Sequence, residues 1–221
     1  MSIYNKEKPV KQQVKTIILI LTHQCNLNCI YCYEHNKDLT CIDLDNAKRI
    51  LENEMLSDDE LDREIEFFGG EPFLEFDKIV DLHNFLMSRK WPKKWLTMIT
   101  TNGTLVHGKI KEWVYRNQET VKVALSADGT PEMHNINRSN SFIQIDLNFF
   151  ANTNSVVKMT VSAKTLSYLS DGIIYLHKLG FKTVRANLAF GIDWSDEDNM
   201  SIYARELRRL ADFYIENPQL R

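Results

Sequence analysis

The 180 residues that follow Cys41 contain no cysteine. A disulfide framework spread along the chain is thereby excluded, as is any thiolate-bound metal group built by the later residues. No apolar run approaches the roughly 20 residues needed to span a bilayer, since the longest is Ile17-Ile18-Leu19-Ile20-Leu21. The lysine-bearing start Met1–Lys15 leads into no signal-peptide core, so a soluble cytoplasmic protein is expected, with no membrane partner. Positive charge is not in excess: 27 Lys and Arg stand against 30 Asp and Glu, a net charge of −3, which argues against a nucleic-acid surface. Neither a G-x-S-x-G elbow nor a G-x4-G-K-S/T phosphate loop occurs. No Pro-, Gly- or Ser-rich linker, low-complexity tract or charge block interrupts the chain, and 43% hydrophobic residues suffice for the core of one domain.

What the sequence does have is a cluster of thiols, Cys25, Cys29, Cys32 and Cys41. The spacing C-x3-C-x2-C puts three of them on one short loop, within reach of one compact centre. Two readings follow. Zinc takes four thiolates or a Cys/His mixture, with Cys41, His23 or His35 as fourth ligand. A four-iron cubane takes three, leaving one iron open to a substrate or cofactor.

Short β-rich runs alternate with amphipathic segments. Strands are expected over Lys15–Thr22, Glu64–Phe68, Trp95–Thr100, Val121–Leu125, Val156–Val161 and Thr183–Leu188. Helices are expected over Leu44–Leu56 (capped by Asp43 or Asp45), Phe76–Met87, Lys109–Arg116, Ile143–Phe150, Gly172–Leu179 and Asp196–Glu216. Six β-α repeats require a parallel sheet with helices outside it, its strands buried on both faces. The fold class is α/β, a partial (β/α)6 TIM-like barrel in one domain, because six units fall short of the eight that close. Residues 1–14 form an N-terminal extension and residues 15–221 the core domain.

Ligand sites in such folds gather in the loops after the strands. There the first strand delivers the thiols, the second Gly69-Gly70-Glu71-Pro72, the third Thr101-Asn102-Gly103 and the fourth Ser126-Ala127-Asp128-Gly129. The Gly-Gly carbonyls with the Glu71 carboxylate can accept from an ammonium group, or the pair simply makes a turn before a helix. Ser126 and Asp128 can bind sugar hydroxyls or cap a turn.

Taken together, Cys25-x3-Cys29-Ile30-Tyr31-Cys32, Gly69-Gly70-Glu71-Pro72, Thr101-Asn102-Gly103 and Ser126-x-Asp128-Gly129 resemble the radical S-adenosylmethionine (radical SAM) superfamily over about residues 15–190. Phe67-Phe68 and the stretch from Leu125 to Arg138 are most similar to the branch that modifies peptides and proteins, which contains the anaerobic sulfatase-maturating enzymes and SPASM-type peptide maturases.

The resemblance implies a [4Fe-4S] cluster on Cys25, Cys29 and Cys32 whose open iron is chelated by SAM. It implies reductive cleavage to a 5′-deoxyadenosyl radical that abstracts a hydrogen from a peptide or protein side chain, with a flavodoxin or ferredoxin as electron donor. Tyr31 matches the aromatic near the adenine, Gly69, Gly70 and Glu71 the segment receiving the methionyl ammonium, and Ser126 a contact to the ribose or carboxylate. Asn102, Asp128 and Arg138 occupy motif positions, and Arg138 pairs either with the SAM carboxylate or with a local acid. Ser162 and Leu188 are added from their rim positions. His134 is expected to be structural. One departure stands out: no cysteine exists for the auxiliary clusters of a SPASM or twitch domain, so the chain is either a minimal member or a catalytic core. Two other readings remain: a small radical SAM enzyme acting on a small molecule or activating a glycyl-radical partner, and a non-catalytic metal-binding module.

Overall fold

A computed structural model describes residues 13–220. Residues 1–12 of the expected N-terminal extension lie outside the described residues, and the first strand begins at Val14, one residue early. Six strands, β1 (Val14–Thr22), β2 (Asp62–Gly69), β3 (Trp95–Thr101), β4 (Val121–Ser126), β5 (Val156–Val161) and β6 (Val184–Leu188), pair in sequence order. Every pairing is parallel. Successive parallel neighbours need crossovers, and the helices α1 (Leu44–Leu56), α2 (Phe76–Met87), α3 (Gly108–Arg116), α4 (Pro131–Asn137), α5 (Leu147–Asn152), α6 (Leu169–Lys178) and α7 (Glu197–Glu216) lie in or after them. The result is the expected open (β/α)6 partial barrel.

Chain chemistry sets the helix starts. Asp43 caps α1 by accepting from Asn46 N at 2.7 Å, and Asp146 caps α5 by accepting from Phe149 N at 3.1 Å. The expected helix Ile143–Phe150 is therefore two pieces, a 3-10 turn over Phe142–Gln144 and α5. The expected helix Gly172–Leu179 starts earlier, at Leu169, behind a 3-10 segment over Ala163–Tyr168. Helix α4 was not expected from the sequence, although Thr130 caps it and Pro131 fills its first turn.

One sheet face packs against the helices: Leu19, Leu21, Ile65, Phe67 and Ile99 are buried with Leu51, Met55, Ile79 and Leu82. Burial on the other face departs from the expectation of strands covered on both sides. Ile18 is 57% and Ile20 51% exposed, while Glu66 and Lys158 alternate with buried neighbours. An open barrel leaves its concave face uncovered, so its strands follow the half-buried alternation of a one-sided sheet. Among the described residues no helix is long and apolar enough to cross a membrane.

Candidate active site

Strand β1 runs directly into the cysteine loop, and Cys25, Cys29 and Cys32 all line one cavity of about 380 Å³ at the carboxyl ends of the strands. The loop is held from several sides. Cys32 N donates to Cys29 O at 3.1 Å, Ile30 N to Asn137 O at 3.0 Å and Asn28 N to Ser139 Oγ at 2.9 Å. Lys37 Nζ folds back to donate to Leu27 O. The sulfurs themselves meet donors: Leu27 N lies 3.4 Å and Asn102 Nδ2 3.9 Å from Cys25 Sγ, and Arg138 Nη1 lies 4.0 Å from Cys29 Sγ. Burial pushes the thiols of Cys25 and Cys29 up, so a soft cation must displace their protons to bind.

Two of the three sulfurs face N–H groups or a guanidinium, and Cys32 Sγ donates to Glu34 O at 3.5 Å; three thiols on one loop form a donor set suited to a thiolate-held cluster. Of the three candidates for zinc's fourth donor, Cys41 Sγ donates to Glu75 Oε1 at 3.1 Å, His23 Nδ1 stands 3.5 Å from Asp38 Oδ1, and His35 is exposed and does not line the cavity.

Gly69 and Gly70 also line the cavity, and their lack of side chains is a steric requirement. A Cβ on Gly69 would lie 2.2 Å from Thr22 O, and one on Gly70 2.1 Å from Gln24 O. Close approach lets Gly70 N donate to Thr22 O at 2.9 Å and Glu71 N to Gln24 O at 2.8 Å, which fixes the base of the cysteine loop on β2. Glu71 does not reach the cavity wall. Fully buried, its Oε1 accepts from Thr101 Oγ1 at 2.7 Å and Phe73 N at 3.2 Å, and its Oε2 accepts from Asn102 N at 2.7 Å. Burial raises its pKa to about 7 against those hydrogen bonds. The carboxylate thus holds Thr101 and Asn102, which do line the cavity.

Asp128 is likewise buried behind the wall. Its Oδ2 accepts from Tyr31 OH at 2.5 Å and Asn137 Nδ2 at 3.1 Å, and its Oδ1 accepts from Thr160 N at 2.9 Å. Arg138 Nε forms an ion pair with Asp128 Oδ1 at 3.0 Å, so the local acid is one partner of this arginine. The guanidinium also stands 5.5 Å over the Tyr31 ring and lines the cavity. Ser162 is buried, donating to Asn137 Oδ1 at 2.8 Å. Tyr31, Asn102, Ser126 and Leu188 lie on the cavity wall. His134 does not: it is fully buried, accepts at Nδ1 from Asp128 N at 3.3 Å, and meets Ser141 Oγ through Nε2 at 3.0 Å. Burial lowers its pKa to about 4, so it is a neutral brace.

Sequence reasoning missed cavity residues of the concave face, among them Thr100, Lys158, Thr160 and Asn187. The signal that marks Lys158 is its place between the buried Val157 and Met159, which requires it to point inward to the barrel. The aromatic rim residues Tyr33 and Phe190, 67% and 89% exposed, were missed as well.

Comparison with known proteins gives a uniform picture. An uncharacterized protein of Methanocaldococcus jannaschii is 29% identical over 184 residues, covering 79% of this chain and 63% of that protein. The cysteine-type anaerobic sulfatase-maturating enzyme of Clostridium perfringens strain 13 is 28% identical over 127 residues, 52% of this chain and 32% of that enzyme. The chain thus spans less than two thirds of the length of either relative. A solved structure of native anSMEcpe with bound AdoMet and Kp18Cys peptide superimposes with a TM-score of 0.76 at 20% identity, covering 91% of this chain and 60% of that one, a likeness of fold. The family model described as Radical SAM superfamily matches residues 19–204. The chain therefore belongs to the radical SAM superfamily, a family of enzymes that use a [4Fe-4S] cluster and S-adenosylmethionine.

Proposed function

We propose that this chain is a radical SAM enzyme, or its catalytic core, that modifies a side chain of a peptide or protein. The observation that carries the reading is the opening of three thiols from one loop into the same cavity as Gly69, Gly70, Asn102, Ser126 and Arg138. Cys25, Cys29 and Cys32 would ligate the cluster as thiolates, with the nearby N–H groups and Arg138 stabilising the negative sulfurs. When bound, the cluster and SAM supply the electron and the 5′-deoxyadenosyl radical that takes a hydrogen atom from the substrate.

The chain's own contribution is binding and orientation. Backbone carbonyls of the Gly69-Gly70 turn receive the SAM ammonium, and Arg138 or Ser126 meets its carboxylate or ribose. Tyr31 and Leu188 give the adenine apolar contact. Glu71 and Asp128 act on SAM through the wall residues they hold, Asn102 and Arg138, while Ser162 braces the buried Asn137 behind them. The peptide substrate is supported by the relative that matures sulfatases and by the peptide in the anSMEcpe structure. It also suits a concave face and rim where the apolar residues Ile18, Ile20 and Phe190 stand exposed. A flavodoxin or ferredoxin in the cytoplasm would deliver the electron.

The test is anaerobic reconstitution followed by 5′-deoxyadenosine release assayed alongside mass spectrometry of candidate precursor peptides. A mass change on peptide that requires SAM and reductant is expected. SAM cleavage coupled to a small molecule, with no peptide modified by the chain or any longer form of it, would overturn the substrate reading.

A further inference from the structure

The concave wall facing the cysteine loop carries a fixed cation. Lys158 Nζ donates to Glu66 Oε1 at 3.2 Å and to Thr100 Oγ1 at 2.8 Å, and Thr100 Oγ1 in turn donates to Glu66 Oε1 at 2.8 Å. The three residues come from β5, β2 and β3, so this triangle spans the barrel interior. An ammonium has three N–H donors, and two are committed here. Lys158 lines the cavity with its side chain 39% exposed, which leaves the third donor for a ligand. Its neighbours in register are Ser126 on β4 and Arg185 on β6. Arg185 is exposed, and its guanidinium makes no ion pair or hydrogen bond among the described residues. The concave face carries Lys122, Lys158 and Arg185 against Asp62, Glu64 and Glu66, so its charges balance overall, but the acids all lie on β2 and the cations on β4, β5 and β6.

Fixed, partly desolvated donors beside an uncompensated guanidinium form a receptor for a carboxylate. In the function proposed above, SAM's carboxylate or ribose meets Arg138 or Ser126, and Arg138 stands at the thiol loop, 4.0 Å from Cys29 Sγ. Lys158 instead sits in mid-strand on the wall of the same cavity. We infer that Lys158, held by Glu66 and Thr100 and assisted by Arg185, is a substrate-anchoring subsite that binds a carboxylate of the peptide and so sets which neighbouring residue faces the cofactor. The inference rests on the peptide-modifying reading and adds to it an anionic anchor in the substrate, either an acidic side chain or the free carboxyl terminus.

Equilibrium dialysis of the reconstituted, SAM-loaded chain with three radiolabelled probes tests it. N-acetyl-aspartic acid α-amide carries only a side-chain carboxylate, N-acetyl-alanine only a terminal one, and N-acetyl-asparagine α-amide neither. One carboxylate probe should bind about tenfold tighter than the neutral probe or better, and which one it is identifies the source. Lys158→Met should abolish that preference and Arg185→Gln should reduce it, with SAM affinity unchanged in both. Equal binding of all three probes to the unaltered protein would overturn the inference. So would a preference that survives Lys158→Met, or a loss of SAM affinity in that variant. Arg185→Gln leaves the Lys158–Glu66 pair in place, so an undiminished preference there counts against the subsite even if the Met variant does not fold. The SAM-dependent change in the cluster's paramagnetic resonance spectrum, recorded on the same samples, reads the radical SAM assignment independently of the probes.

Discussion

The Tyr31 hydroxyl donates a 2.5 Å hydrogen bond to Asp128 Oδ2, joining the cysteine loop to the end of β4 across 97 positions of sequence. The same carboxylate accepts from Asn137 on α4 and from the Thr160 amide on β5, and pairs with Arg138. One buried acid thus ties the loop that bears the thiols to three other parts of the rim. Positions set by such a network are fixed before any cofactor arrives.

Tyr31→Phe removes only the hydroxyl. A hydrogen bond to a charged group contributes about 1.5–3 kcal/mol, so denaturant unfolding should show a loss of that order. All three cysteines remain, and iron content after reconstitution should stay near one cluster per chain.

Gly70→Ala is expected to be worse than its size suggests, because the new Cβ meets Gln24 O at 2.1 Å. The displaced backbone is the base of the cysteine loop, and overpacking of this kind costs about 1–3 kcal/mol. Iron and sulfide analysis should find cluster content clearly reduced relative to the unaltered protein under the same reconstitution.

Glu71 makes stability depend on pH. Its pKa in the folded protein is about 7, raised by burial from an ordinary 4.5. Below the unfolded value the acid is protonated in both states and its full contribution is present. Between 4.5 and 7 the unfolded chain releases the proton while the folded one keeps it, so stability falls as pH rises, levelling above the folded value. The total is on the order of 3 kcal/mol. Urea unfolding of the cluster-free protein across this range should show the decline, and Glu71→Gln should flatten it.

Much of this was legible in the sequence. Uniformly apolar runs such as Lys15–Thr22 mark strands, and punctuating Gly, Asn and Cys mark the rim, so the six-unit order followed from pattern alone. The stretch Thr130–Asn137 was read as motif, which concealed a short helix begun by a Thr-Pro cap. Layers were harder. That Glu71, Asp128 and Ser162 stand behind the wall rather than on it depends on which way a rim residue turns, and no periodicity encodes that in a loop. Lys158 was overlooked for the opposite reason: in a sheet taken to be covered on both faces, an inward lysine has no place, whereas an open barrel gives it one.

At the centre of the proposed function stand Cys25, Cys29 and Cys32, holding one cluster whose free iron SAM can reach. Electron paramagnetic resonance of the reduced, reconstituted protein, with and without SAM, tests it most directly. The expected result is a [4Fe-4S] signal that changes on adding SAM, is lost when any one of the three cysteines is replaced by Ala, and persists in Cys41→Ala. A signal that survives loss of a loop cysteine, vanishes with Cys41, or ignores SAM would contradict it.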